Sequence, residues 1–389
     1  MTPAARIETA IGLLDRILDG APAEQALTQW ARASRYAGSG DRAAVRDHVY
    51  DALRCRRSFA ALGGAGDPPG GRQLMLGALR ALGVEAEALF TGAPHAPAPL
   101  TEAERARDVP VSLPPDMPDW LLPELAESLG PALEGVLEAE RHRAPVFLRV
   151  NLAKATRAEA QAALTDAGIT TEAEPLADTA LRVVAGAGKL RAAGPYLDGR
   201  VELQDAAPQA AVAMLPLSRG MKVLDYCAGG GGKVLAMAGR QPGMALFAHD
   251  VAPARMRDLP ERARRAGVAV TLADAAAITR AAPFDLVVLD VPCSGSGTWR
   301  RTPDAKWRLT DGRLSELRTL QAQILARAAP LVRPGGSLAY MTCSLLRGEN
   351  DDQVDAFLRS GGWSQTARRL FLPCDGGDGF FCAVLTRES

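Results

Sequence analysis

The chain of 389 residues lacks several features that would indicate a nucleic-acid, membrane or metal partner. Lysine plus arginine and aspartate plus glutamate both number 45, so the net charge is zero and no overall electric field attracts a polyanion. Any nucleic-acid surface must therefore be a local patch. No stretch approaches the ~20 consecutive apolar residues of a membrane-spanning helix, so we expect no membrane partner. The four histidines, His48, His95, His142 and His249, lack metal-ligand spacing, so we expect no metal site.

Cysteine is also sparse, and no two cysteines form a Cys-x-x-Cys pair. The six cysteines lie at positions 55, 227, 293, 343, 374 and 382. The N-terminal region carries no apolar segment of the signal-peptide type. These absences predict a cytoplasmic protein with free thiols, and we expect it to be a monomer. Cys55, Cys374 and Cys382 are interpreted as small buried hydrophobic residues.

The length predicts two or three domains, because it exceeds the size at which one hydrophobic core keeps growing. Apolar residues recur at helical spacing over residues 4–90 and predict an all-α domain at residues 1–92. Seven prolines over residues 93–118 disfavour helices and sheets and predict a linker there. Helical, strand-like and helical segments follow over residues 120–167, which indicates a small α+β module at residues 119–204.

From residue 206 onward, helical and apolar strand-like segments alternate. This alternation predicts an α/β domain at residues 205–389, in which helices cover both faces of a parallel, doubly wound sheet. Apolar runs predict strands at residues 222–226, 245–248, 268–272, 286–289 and 337–341. Residues 379–386 are predicted to add a further strand through a hairpin.

A glycine-rich turn joins the first of these strands to the next helix. The candidate cofactor-binding residues here are Asp225, near the end of the strand, and Cys227, Ala228, Gly229, Gly230, Gly231, Gly232 and Lys233 of the turn. Glycines let the backbone approach a ligand closely, and a helix N-terminus leaves N–H groups free, so the turn is a candidate cofactor site. The alternative is a tight connection without a ligand. Lys233 precedes Val234 rather than serine or threonine, which excludes the phosphate loop of nucleotidases.

Two acidic residues strengthen the cofactor interpretation. Asp250 ends the second predicted strand 25 positions after Asp225, near the offset of about 20 at which a carboxylate holds ribose hydroxyls in doubly wound folds. Asp274 ends the third strand, where a purine edge would lie. The alternative for both is a helix N-cap or a solvated turn residue. S-adenosylmethionine and a nicotinamide dinucleotide both remain candidates at this point.

Two cysteines follow the ends of later predicted strands. Cys293 lies in Asp-Val-Pro-Cys-Ser-Gly-Ser-Gly at residues 290–297, and Cys343 lies in Met-Thr-Cys-Ser at residues 341–344. With Asp290 they supply two thiols and a carboxyl, which suits covalent attack on carbon 6 of a pyrimidine with acid–base help. The alternatives are two buried small hydrophobic residues, or the cysteine pair of an oxidoreductase.

The chain resembles the Nol/Nop/Sun family of RNA cytosine-5 methyltransferases, and most closely its bacterial Sun branch. The resemblance is carried by Leu-Asp-Val-Pro-Cys-Ser-Gly-Ser-Gly, Arg-Arg-Thr-Pro-Asp-Ala-Lys-Trp at residues 300–307, Pro-Gly-Gly-Ser-Leu-Ala-Tyr-Met-Thr-Cys-Ser and the pair Glu349 and Asn350. It implies a Rossmann-like class I methyltransferase domain, a small α+β RNA-binding module and an all-α, NusB-like RNA-binding domain at the N-terminus.

The same resemblance implies a reaction and its catalytic residues. S-adenosylmethionine would donate a methyl group to carbon 5 of a cytosine, in this branch within 16S ribosomal RNA. Cys343 would be the nucleophile, and Cys293 would assist product release. Asp290 would contact and protonate the cytosine, and Lys233 would place the substrate or neighbouring carboxylates. The alternatives are methylation of transfer RNA or of another ribosomal cytosine, and a non-catalytic RNA-binding assembly factor.

The resemblance also implies a cofactor site. Asp250 would hold the ribose hydroxyls and Asp274 the adenine. Besides the glycine-rich turn, the expected cofactor-binding residues are Asp250, Arg255, Asp274, Asp290 and Pro292. The family usually reads Cys-Ala-Ala-Pro-Gly-Gly-Lys-Thr where this chain has Cys-Ala-Gly-Gly-Gly-Gly-Lys-Val. Losing the proline and the threonine predicts a looser turn and weaker cofactor binding.

Basic residues interleaved with aromatic ones predict an RNA surface, because cations meet phosphates and rings stack on unpaired bases. The predicted RNA-binding residues are Arg149, Arg300, Arg301, Lys306 and Trp307. The alternative for the last four is a solvated loop. A second basic cluster, on the helix after Asp250, is predicted to be solvated surface and comprises Arg255, Arg257, Arg262, Arg264 and Arg265.

Overall fold

A computed structural model describes residues 1–64, 68–106, 110 and 112–389 of the chain. Its contacts divide the chain into two compact units. The first comprises Met1–Pro123, Pro131–Arg143 and Trp299–Arg308, and the second comprises Glu124–Gly130, Ala144–Thr298 and Leu309–Ser389. The predicted boundaries at residues 92, 118 and 204 follow local patterns, whereas the grouping of Trp299–Arg308 with the first unit depends on contacts distant in sequence.

The helices and strands have the following bounds. The helices of the described residues are α1 (Pro3–Leu18), α2 (Ala23–Ala33), α3 (Ser39–Arg54), α4 (Arg56–Gly63), α5 (Gly71–Ala81), α6 (Glu102–Arg105), α7 (Leu122–Leu129), α8 (Leu133–Ala139), α9 (Arg157–Asp166), α10 (Gly194–Leu197), α11 (Ala206–Ala213), α12 (Gly232–Arg240), α13 (Leu259–Ala266), α14 (Ala275–Ala281), α15 (Asp304–Arg308), α16 (Asp311–Ala328) and α17 (Asp351–Arg359). The strands are β1 (Val146–Val150), β2 (Thr170–Ala173), β3 (Ala180–Ala185), β4 (Val201–Leu203), β5 (Lys222–Asp225), β6 (Ala245–Ala248), β7 (Thr271–Leu272), β8 (Phe284–Asp290), β9 (Val332–Thr342), β10 (Trp363–Phe371) and β11 (Phe380–Arg387). Among the described helices, none combines the length and the apolar character that a bilayer crossing requires.

The first unit is built around α1 to α5, whose apolar faces share one core. Ile7 of α1, Leu53 of α3 and Leu74 of α5 are almost fully buried in it. A glycine lets α4 and α5 approach closely, because a Cβ atom at Gly77 would lie 1.8 Å from the carbonyl oxygen of Phe59. The helices predicted over residues 4–90 are therefore present, while the NusB-like character of the unit stays a prediction. The proline-rich segment also contains one short helix, α6.

The second unit contains a small antiparallel sheet with strand order β2-β3-β1-β4. Leu148 of β1, Leu164 of α9 and Leu181 of β3 form its buried core. Thr156 caps α9, because its hydroxyl accepts a hydrogen bond from the N–H of Glu159. The predicted strand and the helix after it correspond to β1 and α9, whereas β2, β3 and β4 were not predicted. The strands β2 and β4 span only four and three residues.

The larger sheet of the second unit has strand order β10-β11-β9-β8-β5-β6-β7. Neighbouring strands from β9 to β7 are parallel, whereas β11 is antiparallel to both β9 and β10. The order of connection reverses between β5 and β8. In doubly wound folds, ligands bind at such a reversal, outside the carboxyl ends of the strands.

Helices cover both faces of this larger sheet, because successive strand residues point to opposite sides. Val223 and Val288 pack into a core that contains residues of α11 and α12. Their neighbours Leu224 and Val287 pack into a second core, which contains residues of α16. The alternation confirms the predicted doubly wound α/β fold.

The edges of the larger sheet differ from the prediction. The strand predicted at residues 268–272 is reduced to the two-residue β7 at one edge. The C-terminal strand is confirmed as β11, and it forms an antiparallel pair with β10. The sequence did not predict β10, because this edge strand carries mostly polar residues and is largely exposed.

Candidate active site

Parallel strands bring the candidate residues to one edge of the larger sheet. β5 ends at Asp225, β8 at Asp290 and β9 at Thr342, so Cys343 is the first residue beyond β9. Asp290 lies opposite Met341 in the register of β8 and β9. Because parallel strands share the direction of their carboxyl ends, the predicted carboxylates and thiols meet at the strand reversal.

The glycine-rich turn between β5 and α12 contains two residues in the left-handed region. Gly229 and Gly231 have φ angles of 50° and 82°, which non-glycine residues rarely adopt. A Cβ atom at Gly231 would also lie 2.2 Å from Cδ1 of Leu259. The N–H of Ala228 donates to the carbonyl of His249 at 2.8 Å, which ties the turn to the loop after β6. The turn therefore requires glycine at positions 229 and 231.

Two arginines hold the carbonyl groups of this turn. Arg149 donates from Nη1 to the carbonyl oxygen of Gly232 at 2.8 Å, and Arg262 donates to that of Gly230. Burial lowers the pKa of the Arg149 guanidinium to about 10, so the group remains charged at neutral pH. The prediction that Arg149 binds RNA does not fit this position, because the residue is only 5% exposed and its guanidinium is bonded to the turn.

Asp250 joins the loop after β6 to the glycine-rich turn. Its Oδ2 accepts a hydrogen bond from the N–H of Gly229, and its Oδ1 accepts one from the N–H of Ala252, both at 2.9 Å. Arg255 forms an ion pair with Oδ2 at 3.1 Å. The buried carboxylate therefore shapes the turn, and it also lines the cavity beside it.

A cavity of about 800 Å³ lies at this edge of the second unit. Its volume is within the range of small-molecule and cofactor sites. The lining combines apolar and aromatic residues with both acidic and basic ones, and it comprises Tyr226, Cys227, His249, Asp250, Val251, Pro253, Arg255, Met256, Leu272, Ala273, Asp274, Ala275, Pro292, Leu320, Ile324 and Arg327. Asp274 also caps α14 by accepting the N–H of Ala277 at 2.7 Å, so the helix-cap alternative holds for it alongside its place in the cavity wall. The sequence did not predict the wall contributed by α16.

Lys233 and Asp290 form an ion pair between the start of α12 and the end of β8. Burial lowers the pKa of Lys233, but the charge and hydrogen bond of Asp290 outweigh it, and the net pKa is raised. The ammonium also lies 5.0 Å from the ring centroid of Phe380. Lys233 is therefore a cation at neutral pH, held against a carboxylate at the strand ends.

Asp225 is a buried carboxyl beside this ion pair. Its Oδ2 accepts the N–H of Val234 at 3.2 Å, while Oδ1 has no hydrogen-bond partner among the described residues. Burial, followed by the charge of Asp290, raises the pKa of Asp225 to about 7. Since folding favours the protonated form, Asp225 makes the fold less stable as pH rises from its ordinary value of 3.8 to about 7.

Replacing Asp225 by asparagine should remove this pH-dependent penalty, because the amide keeps an acceptor for Val234 and does not ionise. We expect the free energy of unfolding of the variant, relative to the wild type, to rise between pH 5 and 7 by at most roughly 1.4 kcal/mol per pH unit. Urea denaturation at several pH values measures this difference. Asp285→Asn is the control, because Arg333 and the N–H of Lys222 lower the pKa of Asp285, so its effect should be constant over that range. A pH-independent difference for Asp225→Asn would contradict the assigned burial penalty.

Cys293 and Cys343 place their sulfur atoms 3.4 Å apart, at hydrogen-bond distance and well beyond a disulfide bond. Each belongs to a loop that leaves the larger sheet, and the N–H of Gly297 donates to the carbonyl of Cys343 at 2.9 Å. The hydrogen bond with Cys343, together with burial, raises the pKa of Cys293 well above its usual range. Cys293 is therefore a thiol that can donate its proton toward the sulfur of Cys343.

The remaining cysteines show no such arrangement. Burial and three nearby carboxylates raise the pKa of Cys227 to about 12, so it is an unreactive thiol in the cavity wall. Cys55 and Cys382 are buried as predicted, whereas Cys374 is exposed, so its predicted burial is wrong. Within the described part of the chain, no group of three or more histidine, cysteine, aspartate or glutamate side chains could hold a metal ion.

Comparison with known proteins identifies the family. The family model for the 16S rRNA methyltransferases RsmB/F matches residues 212–386, and the model for the ferredoxin-like domain of RsmF/B-like methyltransferases matches residues 117–187. Ribosomal RNA small subunit methyltransferase B of Salmonella arizonae is 34% identical over 285 residues, which cover 70% of this chain and 66% of the relative. The protein of that name in Vibrio cholerae is 35% identical over 284 residues, covering 70% and 65%. This chain belongs to the RsmB/F family. It matches about two thirds of the length of these relatives.

Solved structures agree on the fold of this RsmB/F chain. The crystal structure of PH0851 matches with a TM-score of 0.74 and 22% identity, covering 100% of this chain and 99% of that one. A methyltransferase homologue from Pyrococcus horikoshii matches with a TM-score of 0.60 and 22% identity, covering 68% and 93%. NSun6 from Pyrococcus horikoshii, solved with SFG, matches with a TM-score of 0.61 and 17% identity, covering 70% and 98%. The second unit therefore has a Rossmann-like methyltransferase fold.

The segment of the RsmB/F chain at residues 300–307, predicted to meet RNA, is largely buried within the first unit. Lys306 is 1% exposed, and its ammonium donates to the carbonyl of Arg54 at 3.0 Å. The indole N–H of Trp307 donates to a backbone carbonyl of α3 at 2.7 Å. The carbonyl of the buried Arg300 accepts from the Nε of Arg54 at 2.7 Å. An RNA-binding role for Arg300 and Lys306 does not fit this burial, whereas for the half-buried Arg301 and Trp307 it stays a prediction.

The second basic cluster of the RsmB/F chain is also partly structural. Arg262 and Arg265 both donate to Oε2 of Glu202, at 3.4 and 2.7 Å. The guanidinium of Arg265 stacks over the ring of Tyr196, 4.3 Å from its centroid. The prediction of a solvated surface is therefore wrong for these two residues, although the side chain of Arg257 is 81% exposed.

One part of the site was missed by sequence reasoning. Ser294 and Ser344, which directly follow Cys293 and Cys343, share hydrogen bonds with the carboxylate of Glu349. All three residues lie in the motifs of the RsmB/F chain that carry the family resemblance, but no role was predicted for them. The sequence does contain a signal for this contact, because a serine directly follows each of the two cysteines at adjacent strand ends.

Proposed function

We propose that this protein transfers a methyl group from S-adenosylmethionine to carbon 5 of a cytosine in small-subunit ribosomal RNA. The observation that carries the proposal is the pair of thiols at Cys293 and Cys343, 3.4 Å apart, at the strand ends that also hold the Lys233–Asp290 ion pair. Membership of the RsmB/F family supports an RNA substrate and the choice of ribosomal RNA.

The cavity beside the glycine-rich turn suits the cofactor in volume and in polarity. When bound there, S-adenosylmethionine supplies an electrophilic methyl group. We assign Asp250 to the ribose hydroxyls and Asp274 to the adenine, since both carboxylates line the cavity. Tyr226 and Pro292 contribute apolar wall, which excludes water from around the ligand. The neighbouring fold of NSun6, solved with SFG, is in line with this assignment.

Cys343 is assigned as the nucleophile, and its sulfur bonds to carbon 6 of the cytosine. As this bond forms, the double bond between carbons 5 and 6 opens, and ring nitrogen 3 takes up a proton. Lys233 passes a proton to Asp290 within the ion pair, and Asp290 donates that proton to the ring nitrogen. Carbon 5 thereby becomes a nucleophilic enamine carbon. The thiol of Cys293 lies within hydrogen-bond distance of the Cys343 sulfur and can orient it toward the ring.

Cys293 is assigned to product release. After carbon 5 has been methylated, nitrogen 3 returns its proton to Asp290. Cys293 then gives its thiol proton to water, and the resulting thiolate removes the proton from carbon 5. The electrons of the broken C–H bond restore the ring double bond, and the bond between carbon 6 and the sulfur of Cys343 breaks. The nucleophile leaves as a thiolate, which completes the cycle.

A labelled-methyl transfer assay tests the proposed function. The protein is incubated with tritiated S-adenosylmethionine and with unmodified small-subunit ribosomal RNA or transfer RNA, and the digested nucleosides are separated. We expect label in 5-methylcytidine from the ribosomal RNA. Label mainly in transfer RNA would favour the alternative substrate, and no transfer to either RNA would favour a non-catalytic RNA-binding factor.

Arg149→Met should weaken cofactor binding, because it removes the charged donor that holds the carbonyl of Gly232. Losing a hydrogen bond from a charged group predicts an increase in the dissociation constant for S-adenosylmethionine on the order of tenfold. Calorimetric titration measures it. Arg182→Met is the control, since Arg182 lies on the neighbouring strand and pairs with Glu172 at the surface. If RNA affinity fell instead, while cofactor affinity stayed at the wild-type value, the original RNA-binding prediction for Arg149 would be restored.

A further inference from the structure

Glu349 is a fully buried carboxylate in the turn between β9 and α17. Among the described residues it pairs with no lysine or arginine. An isolated buried charge is costly unless hydrogen bonds replace its hydration. The hydrogen-bond donors around Glu349 therefore show which parts of the chain this carboxylate holds in place.

The donors to Glu349 come from both cysteine loops. Its Oε1 accepts the N–H of Ser294 at 2.8 Å and the amide of Gln321 at 2.9 Å. Its Oε2 accepts the hydroxyl groups of Ser294 and Ser344, both at 2.5 Å. Ser294 directly follows Cys293, and Ser344 directly follows Cys343. One carboxylate thus ties together the two loops that carry the thiols.

The backbone of Glu349 is held as firmly as its side chain. The hydroxyl of Tyr340, within β9, donates to the carbonyl of Glu349 at 2.7 Å. Its neighbour Asn350 accepts the hydroxyl of Thr342 at 2.5 Å and donates to the carbonyl of Ser344 at 2.8 Å. The carboxylate therefore has a fixed position relative to the end of β9. Its hydrogen bonds to Ser294 fix the loop after β8 relative to the same point.

We propose that Glu349 is a positioning residue that sets the separation and orientation of the Cys293 and Cys343 sulfur atoms. The inference rests on the proposed function only for its catalytic consequence, because the thiol geometry is a property of the protein alone. Three of the four hydrogen bonds to this charged group come from the two serines, and each serine fixes the cysteine before it. The charge of Glu349 also adds to the raised pKa of Cys293, which keeps that residue protonated.

The first test uses Glu349→Gln and a dithiol probe, phenylarsine oxide, in the absence of RNA. The arsenic atom bridges two nearby thiols by forming two As–S bonds and releasing water. We expect the wild type to bind one probe molecule across Cys293 and Cys343, and Cys293→Ser to lose this binding. Glu349→Gln should bind the probe at least about tenfold more weakly, since the amide disrupts the donors that align the loops. Wild-type probe affinity in Glu349→Gln would overturn the proposal.

The second test separates positioning from a general loss of structure. Glu349→Gln should lower kcat for methyl transfer roughly 10- to 100-fold, because small misplacements of a nucleophile are costly, while KM for S-adenosylmethionine stays within about twofold. Glu316→Gln is the control, since Glu316 is exposed and lies on α16. Equal losses in kcat and cofactor affinity would overturn the positioning role.

A variant with a milder change covers the case in which Glu349→Gln does not fold. Ser344→Ala removes one of the four donors and should weaken probe binding in the same direction but less. Probe affinity unchanged by Ser344→Ala would contradict the proposal. Because the probe measurement needs no RNA, a protein that binds the probe as expected and transfers no methyl group would refute the proposed function and leave the role of Glu349 intact.

Discussion

Replacing Cys343 by alanine is expected to lower methyl transfer by roughly ten-thousand-fold or more, because the variant lacks the sulfur that activates carbon 5. The neighbouring Cys293 should not take over, since burial and the charge of Glu349 still raise the pKa of its thiol after the hydrogen bond with Cys343 is lost. No covalent complex with RNA should form in this variant. Steady-state transfer of labelled methyl groups, together with denaturing gel electrophoresis of protein and RNA, measures both effects.

The companion variant, Cys293→Ala, should show a different defect. Attack by Cys343 remains possible, but removal of the proton from carbon 5 loses its assigned base. We therefore expect slow turnover together with a covalent protein–RNA complex that survives denaturation. Cys374→Ala serves as the control, because Cys374 is exposed and belongs to no loop of the site. A complex that accumulates in Cys343→Ala and is absent from Cys293→Ala would reverse the two roles.

Replacing Asp250 by alanine is expected to raise the dissociation constant for S-adenosylmethionine by roughly 100-fold. The carboxylate accepts the N–H groups of Gly229 and Ala252, and it pairs with Arg255, so its loss frees the glycine-rich turn as well as removing the ribose ligand. Hydrogen bonds to a charged group contribute about 1.5–3 kcal/mol each, which makes a large effect plausible from few contacts. Calorimetric titration of the protein without RNA gives the constant.

Two comparisons define the outcome for Asp250. Asp258→Ala should leave cofactor binding unchanged, because the Asp258 side chain is 71% exposed and, within the described part of the chain, pairs with the exposed Arg257 alone. Asp250→Asn should also weaken binding, since its amide must present N–H toward one of the two backbone donors. Wild-type affinity in Asp250→Ala would contradict both the placement of the cofactor and the role of the carboxylate in the turn.

The edge of the larger sheet that carries the candidate site was predictable because its signals are local. Apolar runs that end in Asp225, Asp250 and Asp290 define strand ends, and parallel strands bring their carboxyl ends to one edge. The same logic placed Cys343 beside the loop of Cys293, and the sulfur–sulfur distance of 3.4 Å agrees with it. By contrast, β10 carries little apolar signal, because an edge strand is largely exposed.

Contacts between distant residues were not predictable from local pattern. Lys306 has the charge of a surface residue, yet its ammonium is bonded to the carbonyl of Arg54, about 250 positions away. Arg149 likewise lies in a strand of the small sheet, and its guanidinium bonds a turn of the larger one. The burial of Glu349 was not predictable from its neighbours in sequence, because its four hydrogen-bond donors come from three separate segments. In each case, long-range hydrogen bonds offset the cost of burying a charge.

The arginine contacts also change the expectation for the unusual four-glycine turn. The sequence predicted a loose turn, because the proline of the family pattern is missing. In the structure Arg149 and Arg262 hold the carbonyls of Gly232 and Gly230, while Asp250 holds the N–H of Gly229. These three contacts restrain the turn from outside. We therefore expect cofactor affinity to depend more on them than on whether the turn contains the proline of the family pattern.

The most direct test of the central claim is to map the covalent bond between the protein and RNA that contains 5-fluorocytidine. In this nucleotide, fluorine replaces the hydrogen at carbon 5 that a base must remove to release the product. A base cannot remove fluorine in this way, so the complex should persist after methyl transfer in the presence of S-adenosylmethionine. Proteolysis and mass spectrometry should then place the nucleotide on the peptide that contains Cys343. A nucleotide attached to the Cys293 peptide, or 5-methylcytidine formed on ordinary RNA without any trapped complex, would contradict the account.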